Sequence, residues 1–288
     1  MKEKPLQKTP IEIFCHDCGR MDDDFKLAIK QQYCKYIHGT CCKPRKSEPE
    51  VKVGICILGA SVARKTGLKP VIICPQRFKE EIMFETIRKH YLSSWKNVKW
   101  IQEVSIGVGG SVDFVAVEVD KNDKVKDFLC VEIQAAGTTG SPYPAVKEYI
   151  SQGHFNSSSY KYGINWANEF SKTMMQQAYK KGKIVESWKR KIVFILQDLA
   201  MEYLFHATDC SKVTKSQPDY PIDFCTFSLK WGGYSWGLEF DTIKSTTIEG
   251  INTILGGASV NEYPTEEEFI ENITKKGIAD GILTAKLS

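Results

Sequence analysis

The stretch that most constrains this chain is residues 109–136, GGSVDFVAVEVDKNDKVKDFLCVEIQAA. Two apolar runs, 112–119 and 128–135, flank a polar, turn-prone link at 120–127. That pattern spells a β-hairpin with a somewhat long loop. Side chains alternate across a strand, so Glu132 and Gln134 share one face, and Asp113 points away from Val112 and Phe114. If the strands pair, Asp113 can sit beside Glu132. Two carboxylates and an amide would then meet at one edge of a buried sheet. Charges in apolar strands are rarely buried unless paired or bound to a metal. Taken alone, a D…ExQ pattern also fits the solvent face of an edge hairpin, and such short patterns recur by accident.

The bulk of the chain sets bounds. Its 288 residues fit one large domain, or a main domain with a small appendage. Hydrophobic content of 42% and charged content of 26% are ordinary for a soluble globular protein. No apolar run of membrane-spanning length occurs, so no membrane partner is expected. The opening MKEKPLQKTP lacks the apolar region of a signal peptide. A cytoplasmic location is therefore expected, and in a reducing compartment the ten cysteines read as metal ligands or core residues rather than disulfides. A net charge of +4 is compatible with nucleic acid without proving it. Lys/Arg residues crowd 172–191 against the single Glu186, whereas acids dominate 261–288.

Cys15, Cys18, Cys34, Cys41, Cys42 and Cys56 fall early in the chain, and Cys74 follows in VIICPQRF. With few long apolar runs, this segment struggles to fold by burial alone, and a tetrahedral thiolate site would supply the missing stability. By spacing, Cys15-x-x-Cys18 pairs with Cys34 and Cys41 or Cys42. The rival set is Cys34, Cys41, Cys56 and Cys74. Cys130, Cys210 and Cys225 read as buried free thiols.

Further along, apolar spacing predicts a helix over 79–92 with Ile82, Met83, Ile87 and Tyr91 as its buried stripe. A helix is predicted over 166–181, a buried strand over 191–197 and a short helix over 198–205. FCTFSLKWGGYSWGLEFDTI predicts a hairpin around Gly232-Gly233. A helix over 246–255 follows, and Thr265 with Glu268 forms a capping-box start for 266–276.

Read together, QYCKYIHGTC, VGIC, VIICPQRF, the Asp113…Glu132-Ile133-Gln134 hairpin and the YKYGINWANEF segment after it resemble the NotI-type type II restriction endonucleases. The matching elements span roughly residues 30–245. The family's cysteine elements are carried by Cys34, Cys41, Cys56 and Cys74. The chain departs at Lys35, where the family has Pro, and doubles the second cysteine with Cys42. The resemblance implies an α/β fold with a restriction-endonuclease-like PD-(D/E)xK core, a central mixed β-sheet flanked by helices. An N-terminal four-cysteine metal-binding segment (1–78) would precede the nuclease core and its C-terminal helical and hairpin extension (79–288). In that core, Asp113 and Glu132, with the carbonyl of Ile133, would hold Mg²⁺. Gln134 stands where the wider superfamily has lysine; it can orient water or phosphate but cannot carry charge or take a proton. Glu103 would support the site. Four thiolates would hold iron or zinc.

The implied activity is Mg²⁺-dependent cleavage of double-stranded DNA at a short palindromic site by a homodimer, with a cognate DNA methyltransferase in the same system. Lys161, Lys172, Lys180, Lys181, Lys183, Lys189, Arg190 and Lys191 would face phosphates, and Asn165 and Asn168 are candidates for base edges. Two other readings use the same residues: a repair or phage-defence nuclease without short-site specificity, and a non-catalytic zinc-dependent DNA-binding protein.

Overall fold

A computed structural model describes residues 6–45, 48–62, 67–256 and Thr265. Its centre is a seven-stranded sheet. In chain order the strands are β1 (Val98–Ser105), β2 (Ser111–Val119), β3 (Val125–Gln134), β4 (Ile192–Gln197), β5 (Thr214–Lys215), β6 (Ile222–Trp231) and β7 (Trp236–Thr246). They lie in the order β5-β7-β6-β4-β3-β2-β1. Strand β4 runs parallel to both neighbours, β3 and β6, and the other pairings are antiparallel. All six residues of β4, IVFILQ, are buried: the first five are the apolar run expected of a strand in the middle of a covered sheet, and Gln197 accepts from the Ile72 N–H at 2.9 Å and donates from Nε2 to the Pro70 carbonyl at 2.8 Å. The β2–β3 link closes over residues 120–124, tighter than the predicted loop. There Asp120 Oδ1 accepts from the N–H groups of Asn122 and Lys124, a side-chain-stabilised turn. The hairpin predicted around Gly232-Gly233 is β6–β7, with Gly233 at φ 89 where a Cβ would be strained.

Helices cover both faces. Pro75–Phe78 is a single 3₁₀ turn, and helix Glu81–Tyr91 places Met83 and Ile87 on one face against Phe114, Ala116, Leu129 and Val131. A long helix covers the other face. Its first part, Ala167–Met174, is π-helical, and its second, Met175–Ser187, is α-helical. Phe170, Met174, Ala178 and Val185 form its buried stripe against Val115, Val117, Cys130 and Phe194. It therefore runs past the predicted end at 181. Gly182 sets the closeness of this packing: a Cβ there would stand 2.5 Å from Ile222 Cδ1. The side chains of β2 and β3 thus divide by parity. Phe114, Ala116, Leu129, Val131 and Ile133 face the Glu81–Tyr91 helix, whereas Val115, Val117 and Cys130 face the long helix. Asp113, Glu132 and Gln134 share the second parity.

Helix Asp198–Ala207 follows β4, and helix Ile248–Leu255, capped by the Thr247 side chain, follows β7. Helix Tyr143–Gln152 had no counterpart among the predicted elements. The predicted helix over 266–276 lies outside the described residues. Among those described, no helix is long and apolar enough to cross a membrane.

The cysteine segment is better packed than its composition suggests. Pro10–Ile13, His16–Asp17, Ile55–Ser61 and Leu68–Ile72 form a second sheet, with Pro10–Ile13 between His16–Asp17 and Ile55–Ser61, and Leu68–Ile72 outermost. Ile13, Phe25, Ile57 and Leu58 are inaccessible to solvent. Side chains of this kind contribute about 1.5–3 kcal/mol each on burial, so the expected shortage of apolar burial does not hold. Arg77, in the 3₁₀ turn after Cys74, ties this sheet to the large one. It is fully buried, pairs with Glu12 and Glu80, and donates from Nη2 to the Trp236 carbonyl at 2.7 Å.

Candidate active site and cysteine centre

The hairpin brings its two acids together. One step beyond the Phe114–Val131 pair, Asp113 comes beside Glu132. The Ile133 N–H donates to Asp113 Oδ2 at 2.7 Å, and the Asp113 N–H donates to Glu132 Oε2 at 3.4 Å. On the other flank, the pairs Val104–Val112 and Gln102–Phe114 bracket Glu103 and Asp113, so Glu103 lies across from Asp113. Glu103 is exposed and takes φ 53, a kink in an edge strand. Three acids thus occupy one row across β1, β2 and β3. Glu132 and Ile133 are buried, while Asp113 and Gln134 are half-buried. Burial, together with the charge of Asp113, pushes the Glu132 carboxyl above the usual range, against the pull of Lys181. Gln134 donates from Nε2 to the carbonyl of its own neighbour, Ala135, at 3.1 Å.

Lys181 departs from expectation. Instead of lining a phosphate-facing surface, it is 3% exposed and points into the sheet. Its Nζ donates to Glu132 Oε1 at 2.6 Å, to the Ser111 carbonyl at 2.7 Å and to Gln177 Oε1 at 3.5 Å. A hint was available in the sequence: Lys181 is in phase with Met174, Ala178 and Val185, the helix's apolar stripe. Of the other basic residues, Lys161, Lys172, Lys180, Lys183 and Lys189 are exposed. Arg190 pairs with Asp127 at 2.9 Å at the surface, and Lys191 pairs with the buried Asp223 at 2.9 Å. Asn168 is exposed and Asn165 half-buried.

The N-terminal thiols also converge. Cys34, Cys41, Cys56 and Cys74 are buried; Cys41 feels the charge of Cys34, Cys56 that of Cys74, and Cys74 that of Cys41 and Cys34. Backbone N–H groups point at the sulfurs: Tyr36 and Ile37 at Cys34, Lys43 and Gly54 at Cys41, Gln76 at Cys74, and Cys15 at Cys56. Of the doubled pair, Cys41 is buried and Cys42 exposed. Burial pushes the Cys74 thiol up to about 11, opposed by Lys43 and reinforced by Cys41 and Cys34. Cys15 joins the cluster from a tight turn in which Phe14 and Cys15 both have positive φ, 47 and 66. Its Sγ donates to Cys34 Sγ at 3.7 Å. Cys18 lies half-buried. Among the described residues, no three His, Cys, Asp or Glu side chains are drawn as close as a metal site holds them. Cys130, Cys210 and Cys225 are buried, as read.

No curated protein matches the chain. The family model described as restriction endonuclease NotI matches residues 29–216, which include the acidic row, Gln134, Lys181 and Cys34, Cys41, Cys56 and Cys74, but not Cys15 or Cys18. That match spans well over half of the chain: the protein belongs to the NotI restriction endonuclease family and is a type II site-specific deoxyribonuclease acting on double-stranded DNA.

Proposed function

We propose that this endonuclease hydrolyses phosphodiester bonds with Mg²⁺ at one short palindromic site, as a homodimer whose two-fold axis matches that of the DNA. The row Glu103, Asp113 and Glu132 carries the reading. Its donors are hard oxygens, the donor type Mg²⁺ selects. Asp113 and Glu132 would hold the cation together with the Ile133 carbonyl, and Glu103 would support them from the neighbouring strand. Bound there, the cation lowers the pKa of a water and offsets charge developing on the scissile phosphate. Gln134 hydrogen-bonds water or a phosphate oxygen and fixes its direction. Exposed Lys172, Lys180, Lys183 and Lys189 attract the DNA backbone without regard to sequence. A companion DNA methyltransferase would protect the host's own copies of the site.

Cys34, Cys41, Cys56 and Cys74 would hold one structural iron or zinc. Burial raises all four thiols, and the backbone N–H groups aimed at the sulfurs oppose it; a bound cation would supply the rest of what thiolate ligands need. Cys15 would stay outside the ligand set as a thiol donating to the Cys34 sulfur.

The test is to digest a mixed-sequence DNA with Mg²⁺ and map the ends. All termini should fall at one short motif; a smear of unrelated ends sinks the site-specific reading of this centre. Glu132→Ala should abolish cleavage while DNA binding stays within a few-fold of wild type. Undiminished cleavage by that variant would remove the catalytic centre from the hairpin.

A further inference from the structure

Lysine is missing from the motif strand, yet an ammonium stands at the site. Gln134 is neutral, and its amide is turned to the Ala135 carbonyl. Lys181 reaches one of the site's carboxylates from the helix layer, with Nζ 2.6 Å from Glu132 Oε1. Three acceptors surround that nitrogen: Glu132, the Ser111 carbonyl at the start of β2, and Gln177 one turn earlier on the helix. The position is firmly held. Gly182 lets the helix seat against Ile222 and Ile248, and a Cβ at Gly109 would stand 3.5 Å from Lys181 Cγ, so the stem is flanked by the turn preceding β2.

We propose that Lys181 is the catalytic lysine of this nuclease, delivered by the helix rather than by the sheet. The inference rests on the Asp113–Glu132 centre proposed above. A buried ion pair adds little net stability compared with apolar packing, so structural pairing alone gives little reason for a lysine here. With Glu132 engaged by a divalent cation, the ammonium would be freed from Oε1 while the Ser111 carbonyl and Gln177 kept it at the site. It then donates to the attacking water and to a non-bridging oxygen of the scissile phosphate. In the reaction the water oxygen joins phosphorus and the phosphorus–ester oxygen bond breaks. One water proton ends on the leaving oxygen as a hydroxyl, and the other stays with the new phosphomonoester or passes to solvent. Lys181 remains protonated throughout. Its contribution is a fixed positive charge where negative charge develops, in a pocket that excludes most water.

The experiment uses the full chain and a duplex carrying the site mapped above. Single-turnover cleavage with saturating Mg²⁺, duplex binding with Ca²⁺ in place of Mg²⁺, and thermal unfolding are measured for Lys181→Met and Lys181→Arg. Removing one preorganised donor typically costs about 10²–10³-fold in rate, so Lys181→Met should be at least about 100-fold slower, with binding within about threefold of wild type. Lys181→Arg keeps the charge and the pairing with Glu132 but not the position of a single nitrogen. It should regain thermal stability and stay at least about tenfold slow, and this variant decides the matter if Lys181→Met fails to fold. Cleavage by Lys181→Arg that recovers in step with its stability would reduce Lys181 to a structural counter-ion and overturn the proposal, as would Lys181→Met cleaving within about threefold of wild type. Glu132→Ala separates the two readings. If it still cleaves, the carboxylate centre itself fails. If it is inactive while either overturning Lys181 result is seen, only the lysine's role falls.

Discussion

Replacing Arg77 with Met should loosen the joint between the cysteine segment and the catalytic sheet, at a cost that can be worked out from its contacts. Arg77 is inaccessible to solvent, and Glu12 is 3% exposed. Nε lies 3.1 Å from Glu12 Oε1 and donates to Oε2 at 3.3 Å. Nη1 pairs with Glu80, whose other oxygen accepts from the Leu238 N–H at 3.1 Å. Methionine fills most of the same volume, so the main loss is charge rather than space. Glu12 is then a buried carboxylate without its counter-ion. Orphaning one member of a buried pair costs about 3–5 kcal/mol. In a chain of this size each kcal/mol moves the unfolding midpoint by about 2–4 °C, so the drop should be about 6–20 °C.

The pH dependence has a definite sign. Burial already pushes the Glu12 carboxyl above its ordinary 4.5, against the pull of Arg77. Without Arg77 it rises further. A carboxyl whose folded pKa is raised costs nothing below its unfolded pKa, and its penalty grows as pH rises from there to the folded value, above which it is complete. The gap in midpoint between Arg77→Met and wild type should therefore be widest near pH 8 and narrow as the pH falls toward 4.5. The double variant Glu12→Gln/Arg77→Met should recover most of the loss, because the fully buried carboxylate is gone and Glu80, partly exposed, still accepts from the Leu238 N–H. Calorimetric midpoints across pH check all three statements. A single variant within about 2 °C of wild type at pH 8, or a gap that widens on acidification, would refute the reasoning.

Two further predictions concern the cysteine centre and the helix seat. Serine at Cys34, Cys41, Cys56 or Cys74 should each lose the bound metal in elemental analysis of purified protein, while Cys15→Ser keeps it; metal lost from Cys15→Ser and kept in Cys74→Ser would reverse the ligand assignment. Gly182→Val places methyl groups where a Cβ alone would meet Ile222 Cδ1 at 2.5 Å. Overpacking of that kind costs about 1–3 kcal/mol, so the unfolding midpoint should fall by about 2–12 °C, and an unchanged midpoint would show that Ile222 simply moves aside.

What the sequence made legible follows from what alternation and apolar runs can carry. The β2–β3 hairpin was readable because its two runs have strand length and its link is polar. Parity alone then put Glu132 and Gln134 on one face, and the structure shows that the long helix covers it. Strand β4 was readable because a strand buried on both faces is a near-continuous apolar run, here IVFIL. The cysteine segment was harder, since its sheet is assembled from short pieces far apart in sequence, and spacing between cysteines says nothing about which strands pair. Cys15-x-x-Cys18 looked like one unit on spacing, and the tight turn at Phe14–Cys15 brings the Cys15 sulfur to that of Cys34. Lys181 was hidden by its company. In a run of seven Lys/Arg over 172–191, composition points outward, while helical phase places this one residue between Ala178 and Val185 on the buried side. Where composition and phase disagree at a single charged residue, phase should take precedence, because a helix cannot turn one side chain outward without turning its whole stripe. Such a residue must find a buried partner, and here the partner is the carboxylate that the hairpin had already singled out.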